Sequence, residues 1–181
     1  GKTLEEQNAS QDNASAETET DSKEFSMADA KEVDGTEISF WHSMGGVNGQ
    51  AIDTLVKKFN SENEYGITVN AQYQGEYDDS LNKLKSAQIG NMGADLVQVY
   101  EIGSRFMIES GWIIPMQEMI DADKYDMSSI EPNLAAYYTI DDQLYSMPFN
   151  SSTPIMYYNK DMFEKAGITE VPDSLEAIEK A

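Results

Sequence analysis

Between residues 37 and 109 the hydrophobic period of the chain switches repeatedly between two and about 3.6, and this alternation limits the possible folds more than any other feature. Residues 37–41 (EISFW) are apolar and β-favouring. After Gly45, Gly46 and Asn48, the apolar positions Ala51, Ile52, Leu55, Val56 and Phe59 recur at helical spacing. Ile67, Val69, Ala71 and Tyr73 then alternate with polar residues, as a half-buried strand does. Tyr77, Leu81, Leu84 and Gln88 form one helical stripe with Gly90 placed as its C-terminal cap. Residues 96–100 (LVQVY) read as a third strand, followed by a helix near residues 104–109. The connections are too long for hairpins, so the strands are expected to run parallel with helices over both faces. The fold class is α/β.

Farther along, residues 112–140 suit two short helices, one ending near the DADKYD loop and one containing residues 133–138. Residues 143–149 and 154–158 read as extended segments separated by NSST. A last helix begins with Asp173 or Ser174 as N-cap, just after Pro172. It has about two turns in which to bury a face, so the chain reads as part of a longer protein. At the other end, residues 1–35 hold 10 acidic and 3 basic side chains among Ser, Thr, Ala, Asn and Gln, a composition that does not offset chain entropy by burial. They read as a disordered acidic leader, either a solubilising tail or a tether.

The remaining composition narrows the function. The formal net charge of −21, from 12 Lys and Arg against 33 Asp and Glu, argues against nucleic acid or anionic lipid surfaces as partners. Without cysteine there is no disulfide, thiolate metal site or thiol nucleophile. No apolar run reaches the roughly 18–20 residues of a membrane-spanning helix, so the chain is either cytosolic or already separated from a targeting segment.

In an open parallel sheet, ligands bind beyond the carboxyl ends of the strands. The three expected strands end in Trp41, His42 and Ser43; in Tyr73, Gln74, Gly75 and then Tyr77; and in Tyr100 and Glu101. Aromatic rings, hydroxyls and a carboxylate together suit a polyol or sugar-like ligand. Each residue also has a plain structural role open to it. Trp41 and Tyr100 could be packed, His42 could orient the turn through a hydrogen bond, and Glu101 could be a solvated carboxylate or a helix cap. The glycine turn fits neither the dinucleotide-binding pattern nor the P-loop. Asp121, Asp123, Tyr125 and Asp126 break the EF-hand pattern and read as a solvated acidic turn. One histidine without cysteine is too few for zinc chemistry, and no G-x-S-x-G elbow is present. Neither a catalytic residue, a metal nor a cofactor is expected. The paired Tyr137 and Tyr138 read as core or surface.

FWHSM, FNSENEYGI, QYQGEYDD, LVQVYE and PFNSSTPIMYYNKDMFEKAGI, in that order, resemble the extracellular solute-binding proteins of ABC importers. The combination WHSM, QVYE and PFNSSTP is similar to the branch that binds glycerol-3-phosphate and glycerophosphodiesters. The resemblance covers residues 37–181 and implies a periplasmic-binding-protein-like, two-lobed fold that closes on a small polar solute and delivers it to permease subunits. Residues 36–150 would be most of the first lobe, and residues 151–181 the crossing and the start of the second. It carries the ligand contacts onto Tyr77, Glu101 and Ser152, and places Trp41, His42 and Ser43 in the cleft wall. Glu101 would accept from glycerol hydroxyls, while Tyr77 and Ser152 donate, partly to phosphate. Gly45 stands where close relatives carry an acid, which leaves ligand preference open. A sugar or oligosaccharide ligand is the alternative within the family, and a secreted hydrolase the alternative outside it. The resemblance further implies an extracellular monomer held to the cell membrane by a lipid anchor before Gly1, or a periplasmic one.

Overall fold

The computed structural model describes residues 32–180. They form two compact units that divide between Met147 and Pro148. The expected leader lies outside the described residues up to residue 31, and its last residues differ from the expectation. Gly35, at φ +78°, turns the chain, and its N–H donates to the Gly66 carbonyl at 3.1 Å. Residues 32–35 are thus among the described residues and Gly35 is bonded to the first unit.

The first unit opens with β1 (Glu37–His42), α1 (Gly46–Glu62), β2 (Thr68–Tyr73), α2 (Tyr77–Ile89), β3 (Leu96–Val97) and α3 (Glu101–Ser110). The three strands make a parallel sheet in the order β2-β1-β3, with Trp41 opposite Gln72 on one side and Val97 on the other. Strand alternation sends Phe40 and His42 into the core and Trp41 to the opposite face, where it is half-buried. β2 is an edge strand of the described sheet, and α1 satisfies the polar groups of Val69 on it. Asn60 Oδ1 accepts from Val69 N–H at 2.8 Å and Asn60 Nδ2 donates to the Val69 carbonyl at 3.0 Å. The Asn60 amide thereby occupies the Val69 groups that another strand would use.

The third strand is shorter than expected: only Leu96 and Val97 pair with β1. Its start is clamped by Asp95. One carboxylate oxygen accepts from both the N–H (2.8 Å) and the hydroxyl (2.7 Å) of Ser39, and Asp95 N–H donates back to that hydroxyl at 3.0 Å. Beyond Val97 one further backbone bond, from Gln98 N–H to the Trp41 carbonyl at 2.9 Å, ties the segment to β1, and α3 begins at Glu101, earlier than the expected 104. α2 ends in a Schellman arrangement, with Met92 N–H on the Ala87 carbonyl and Asn91 N–H on the Gln88 carbonyl, both at 3.0 Å. Gly90 holds the cap position with φ −93°, while Asn91 takes the left-handed conformation at φ 54°.

Beyond α3 come α4 (Met116–Asp123), a single 3-10 turn (Met127–Ser129) and α5 (Pro132–Tyr137). Then β4 (Thr139–Ile140) pairs antiparallel with β5 (Gln143–Leu144), a hairpin not anticipated from the sequence. Asp141 and Asp142 form its two-residue loop with φ of 50° and 62°, the signs that a type I′ turn requires. Of the extended stretch expected at 143–149, only Gln143 and Leu144 pair. In the second unit, residues 154–158 form no ladder, and α6 (Lys160–Lys165) and α7 (Leu175–Lys180) are short. Ser174 caps α7 by accepting from Ala177 N–H at 3.2 Å, as expected.

α2 and α3 approach closely where Gly103 is buried. A Cβ there would stand 2.7 Å from Val99 Cγ1 and 3.2 Å from Leu81 Cδ2. Val99 is β-branched and cannot swing aside freely. Gly103→Ala is therefore expected to destabilise the protein by about 1–3 kcal/mol, read as a lower urea midpoint, and an unchanged midpoint would contradict this packing. Asp95 gives a pH-dependent counterpart. Hydrogen bonds from the Ser39 hydroxyl and then the Ser39 N–H hold its carboxyl below 3.8, against a smaller opposing effect of burial. A carboxyl depressed in the folded state stabilises above its unfolded pKa and loses that contribution as pH falls through the folded value. Asp95→Asn should lower the unfolding midpoint at neutral pH, with the difference from the parent closing below about pH 3.8. A difference that does not change with pH would remove the clamp.

Candidate functional site

Parallel pairing brings the carboxyl ends of β2, β1 and β3 to one edge, and backbone bonds tie them together beyond the last ladder pairs. The His42 carbonyl accepts from Gln74 N–H and the Trp41 carbonyl from Gln98 N–H, both at 2.9 Å. Gln98 Oε1 then accepts from Ser43 N–H at 2.9 Å. His42 Nδ1 accepts from Met44 N–H at 3.2 Å, which places the proton of the neutral ring on Nε2. Burial lowers the imidazole pKa below 6.5, against a smaller upward pull from Asp53. His42 is only 3% exposed, and its ring lies 5.6 Å from Phe40 and 6.0 Å from Tyr73. A neutral, buried ring in this position orients the turn into α1. Gly46, at φ +56°, then makes the bend that a side-chain-bearing residue would resist.

The rim of this edge comes from the first residues of two helices. α2 starts at Glu76 with a capping box, in which Glu76 and Asp79 each accept from the other's backbone N–H. Tyr77 follows, and its ring stacks on Tyr100 at 5.4 Å with an 8° tilt. The Tyr100 hydroxyl donates to Asp78, and this bond is the largest cause of its raised pKa. The stack and the hydroxyl bond clip the start of α2 to the start of α3. Glu101 opens α3, where a carboxylate is stabilised by the positive end of the helix dipole. It stays exposed and faces a cleft of about 200 Å³ that Arg105, Tyr137, Tyr138 and Tyr145 also line. Tyr138 is pushed toward a higher pKa by burial first and by the Glu101 charge second. Among the described residues no group of three or more His, Asp or Glu side chains could hold a metal ion.

The candidate residues divide into three sets. Tyr77 and Glu101 stand on the rim, joined there by Tyr100. Trp41, His42 and Ser43 end the central strand, but His42 and Ser43 are buried and turn inward. The Ser43 hydroxyl has no partner among the described residues. Ser152 is an exposed residue of the second unit. Tyr138, which with Tyr137 reads from the sequence as core or surface, lines the same cleft as Glu101. It lies 37 positions from Glu101, and no local pattern connects them. The one available signal was a tyrosine pair at the end of a short helix.

Comparison with known proteins places this geometry in context. The profile of the family "Bacterial extracellular solute-binding protein" matches residues 54–181. The sn-glycerol-3-phosphate-binding periplasmic protein UgpB of Escherichia coli (strain UTI89 / UPEC) is 40% identical over 148 residues, covering 78% of this chain and 33% of that protein. The crystal structure of UgpB from Mycobacterium tuberculosis in complex with glycerophosphocholine superimposes with a TM-score of 0.68 at 25% identity, over 80% of this chain and 37% of that one. An ABC substrate-binding protein from Listeria monocytogenes in complex with cycloalternan follows at 0.53 and 27%, over 77% and 35%. The chain spans about a third of the length of the curated relatives it matches. The parallel sheet with flanking helices and the family match agree: this chain belongs to the bacterial extracellular solute-binding proteins.

Proposed function

We propose that the chain forms the ligand-facing part of the first lobe of an ABC importer's solute-binding component, and that the whole protein captures glycerol-3-phosphate or a glycerophosphodiester. The observation that carries this is the rim: Tyr77 and Glu101 stand on one edge of the parallel sheet, in a chain 40% identical to glycerol-3-phosphate-binding proteins. Glu101 accepts from glycerol hydroxyls, which a carboxylate does with two oxygens and about four acceptor positions. Tyr77 donates from α2, and Ser152 donates from the unit that begins at Pro148. Trp41, His42 and Ser43 shape the floor; burial restricts His42 and Ser43 to that supporting part.

No bond is made or broken in this reading. The solute binds one lobe first, closure adds the contacts of the other, and the population shifts to a closed form that the permease subunits recognise. Micromolar capture corresponds to about −8 kcal/mol, within reach of several charge-assisted hydrogen bonds shared between lobes. The formal charge of −21 does not forbid a phosphate. Beyond about 8 Å, charges are strongly screened at physiological salt, so donors placed at the ligand decide the outcome. The protein acts as a monomer outside the cell membrane, tethered there by a lipid anchor or free in a periplasm.

A sugar ligand is the second reading. It is favoured by a rim that offers a carboxylate and aromatic rings, and by the likeness to a protein solved with cycloalternan. Calorimetry of the full-length protein with glycerol-3-phosphate, glycerophosphocholine and maltose separates the two. Binding of a glycerol phosphate and none of maltose is expected, with at least a tenfold loss in Glu101→Ala. Heat with maltose alone would move the protein to sugar uptake, and an unchanged affinity in Glu101→Ala would take that residue out of the site.

A further inference from the structure

His42 is the only histidine of the chain, and burial at the end of β1 keeps its ring from the solute. The ring holds backbone instead. Nδ1 accepts from Met44 N–H at 3.2 Å, which fixes the first step of the turn into α1. That turn also lies against β2, since a Cβ on Gly45 would meet the Tyr73 hydroxyl at 3.4 Å. The Tyr73 ring stands 6.0 Å from His42, its hydroxyl donates to Glu76 at 3.4 Å, and Glu76 caps the helix that begins with Tyr77. A line of contacts thus runs from one imidazole nitrogen to the starts of both α1 and α2.

A second proton can enter this ring only at Nδ1, because Nε2 already carries one. The imidazolium then sets N–H against N–H, and the bond from Met44 is lost. A charge beside Phe40 and Tyr73 and an unpaired backbone donor are both costly, and both are relieved if the turn opens and the ring reaches water. Gly45 and Gly46 are exposed and Met44 is half-buried, so the opening has a short way to go. On α1 the charge that reaches the ring is Asp53, which favours the added proton, but burial opposes it more strongly and holds the pKa below 6.5. Tyr73 on β2 is uncharged in that range, and Glu76 and Asp79 of the α2 cap lie beyond it. Leu96 and Val97 of β3 bring no charge, and Asp95 is engaged by Ser39 nearer the start of β1. A base depressed in the folded state contributes stability above its unfolded pKa, and the contribution is lost as pH falls from there through the folded value.

We infer that His42 is a proton-operated catch: protonation at Nδ1 frees Met44 N–H, loosens the turn into α1 and the Tyr73 seat of the α2 cap, and weakens solute binding at the rim as the medium becomes acid. His42 is then a positioning residue that regulates the site, and the inference rests on the glycerol-phosphate reading above. The two-state element is the Met44–Gly46 turn, biased by one proton.

The test joins two measurements on the full-length protein between about pH 8 and about pH 5. Nuclear magnetic resonance gives the titration midpoint of the His42 ring, assigned by its absence in His42→Asn, and follows the Met44 amide. Asn offers an acceptor oxygen in place of Nδ1 and does not titrate. Calorimetry uses glycerophosphocholine, because a phosphodiester gains no proton in this range whereas a monoester has a second pKa of about 6. The parent's affinity should fall about fivefold or more on acidification. The Met44 amide and the affinity should change along the curve of the ring, and His42→Asn should stay within about twofold of its own value at pH 8. A ring that titrates while affinity and the Met44 amide stay constant overturns the inference. So does an equal acid loss in His42→Asn, a ring that stays neutral throughout, or global unfolding of the parent within this range. Should the variant not fold, midpoints of ring and affinity more than about one pH unit apart in the parent overturn it. These outcomes leave the glycerol-phosphate reading intact. Binding of neither glycerophosphocholine nor glycerol-3-phosphate at pH 8 ends that reading, and the Met44 amide then decides by itself whether the turn answers to the proton.

Discussion

Everything at the candidate site depends on how the carboxyl end of β1 is held. The strand is central, and its last two carbonyls are each taken by the strand beside it, His42 by Gln74 N–H and Trp41 by Gln98 N–H. Gln98 then uses its side chain on Ser43 N–H, and His42 uses its ring on Met44 N–H. Four donors are thus satisfied within a few residues, where a buried chain reversal would otherwise leave them without partners. Because the three strand ends are fixed to one another, the helices that follow begin at fixed places. Tyr77 and Glu101 are the first residues of two of those helices. Their relation is a consequence of strand pairing and needs no contact between their own side chains.

Much of this was legible in the sequence because it is local. The switch from period two to helical spacing at residues 37–59 and again at 67–88 reflects which side chains must face a core, and burial of Phe40, Ile52 and Leu84 follows that pattern. The cap at Ser174 depends on residues within four positions of each other. What could not be read depends on distant partners. Leu96 to Tyr100 has strand composition throughout, yet ladder pairing stops at Val97, and Gln98 keeps a single backbone bond to β1 while its side chain accepts from Ser43 N–H. The hairpin at β4 and β5 turns on two aspartates, which tolerate positive φ less readily than the Asn-Gly pair that would have announced it. Tyr138 and Glu101, 37 positions apart, come to line one cleft through the fold and not through a local pattern.

The electrostatics give the edge its character. Glu76, Asp78, Asp79 and Glu101 all fall in the first turns or caps of α2 and α3, where the helix dipole favours negative charge. Helix formation and the proposed ligand recognition at Glu101 would therefore draw on the same kind of carboxylate. Asp78 and Asp79 are already engaged, by Tyr100 and by the capping box. Glu101 remains beside the cleft. In the proposed reading, such an edge offers acceptors to hydroxyls, and donors for a phosphate come from elsewhere.

The central claim is that the solute is gripped at the carboxyl edge of the β2-β1-β3 sheet. A crystal structure of the full-length protein with glycerophosphocholine bound tests it most directly. The account predicts Tyr77 and Glu101 within hydrogen-bond distance of the ligand and the His42 ring still turned into the core. A ligand seated elsewhere, with both residues facing bulk water, would contradict it.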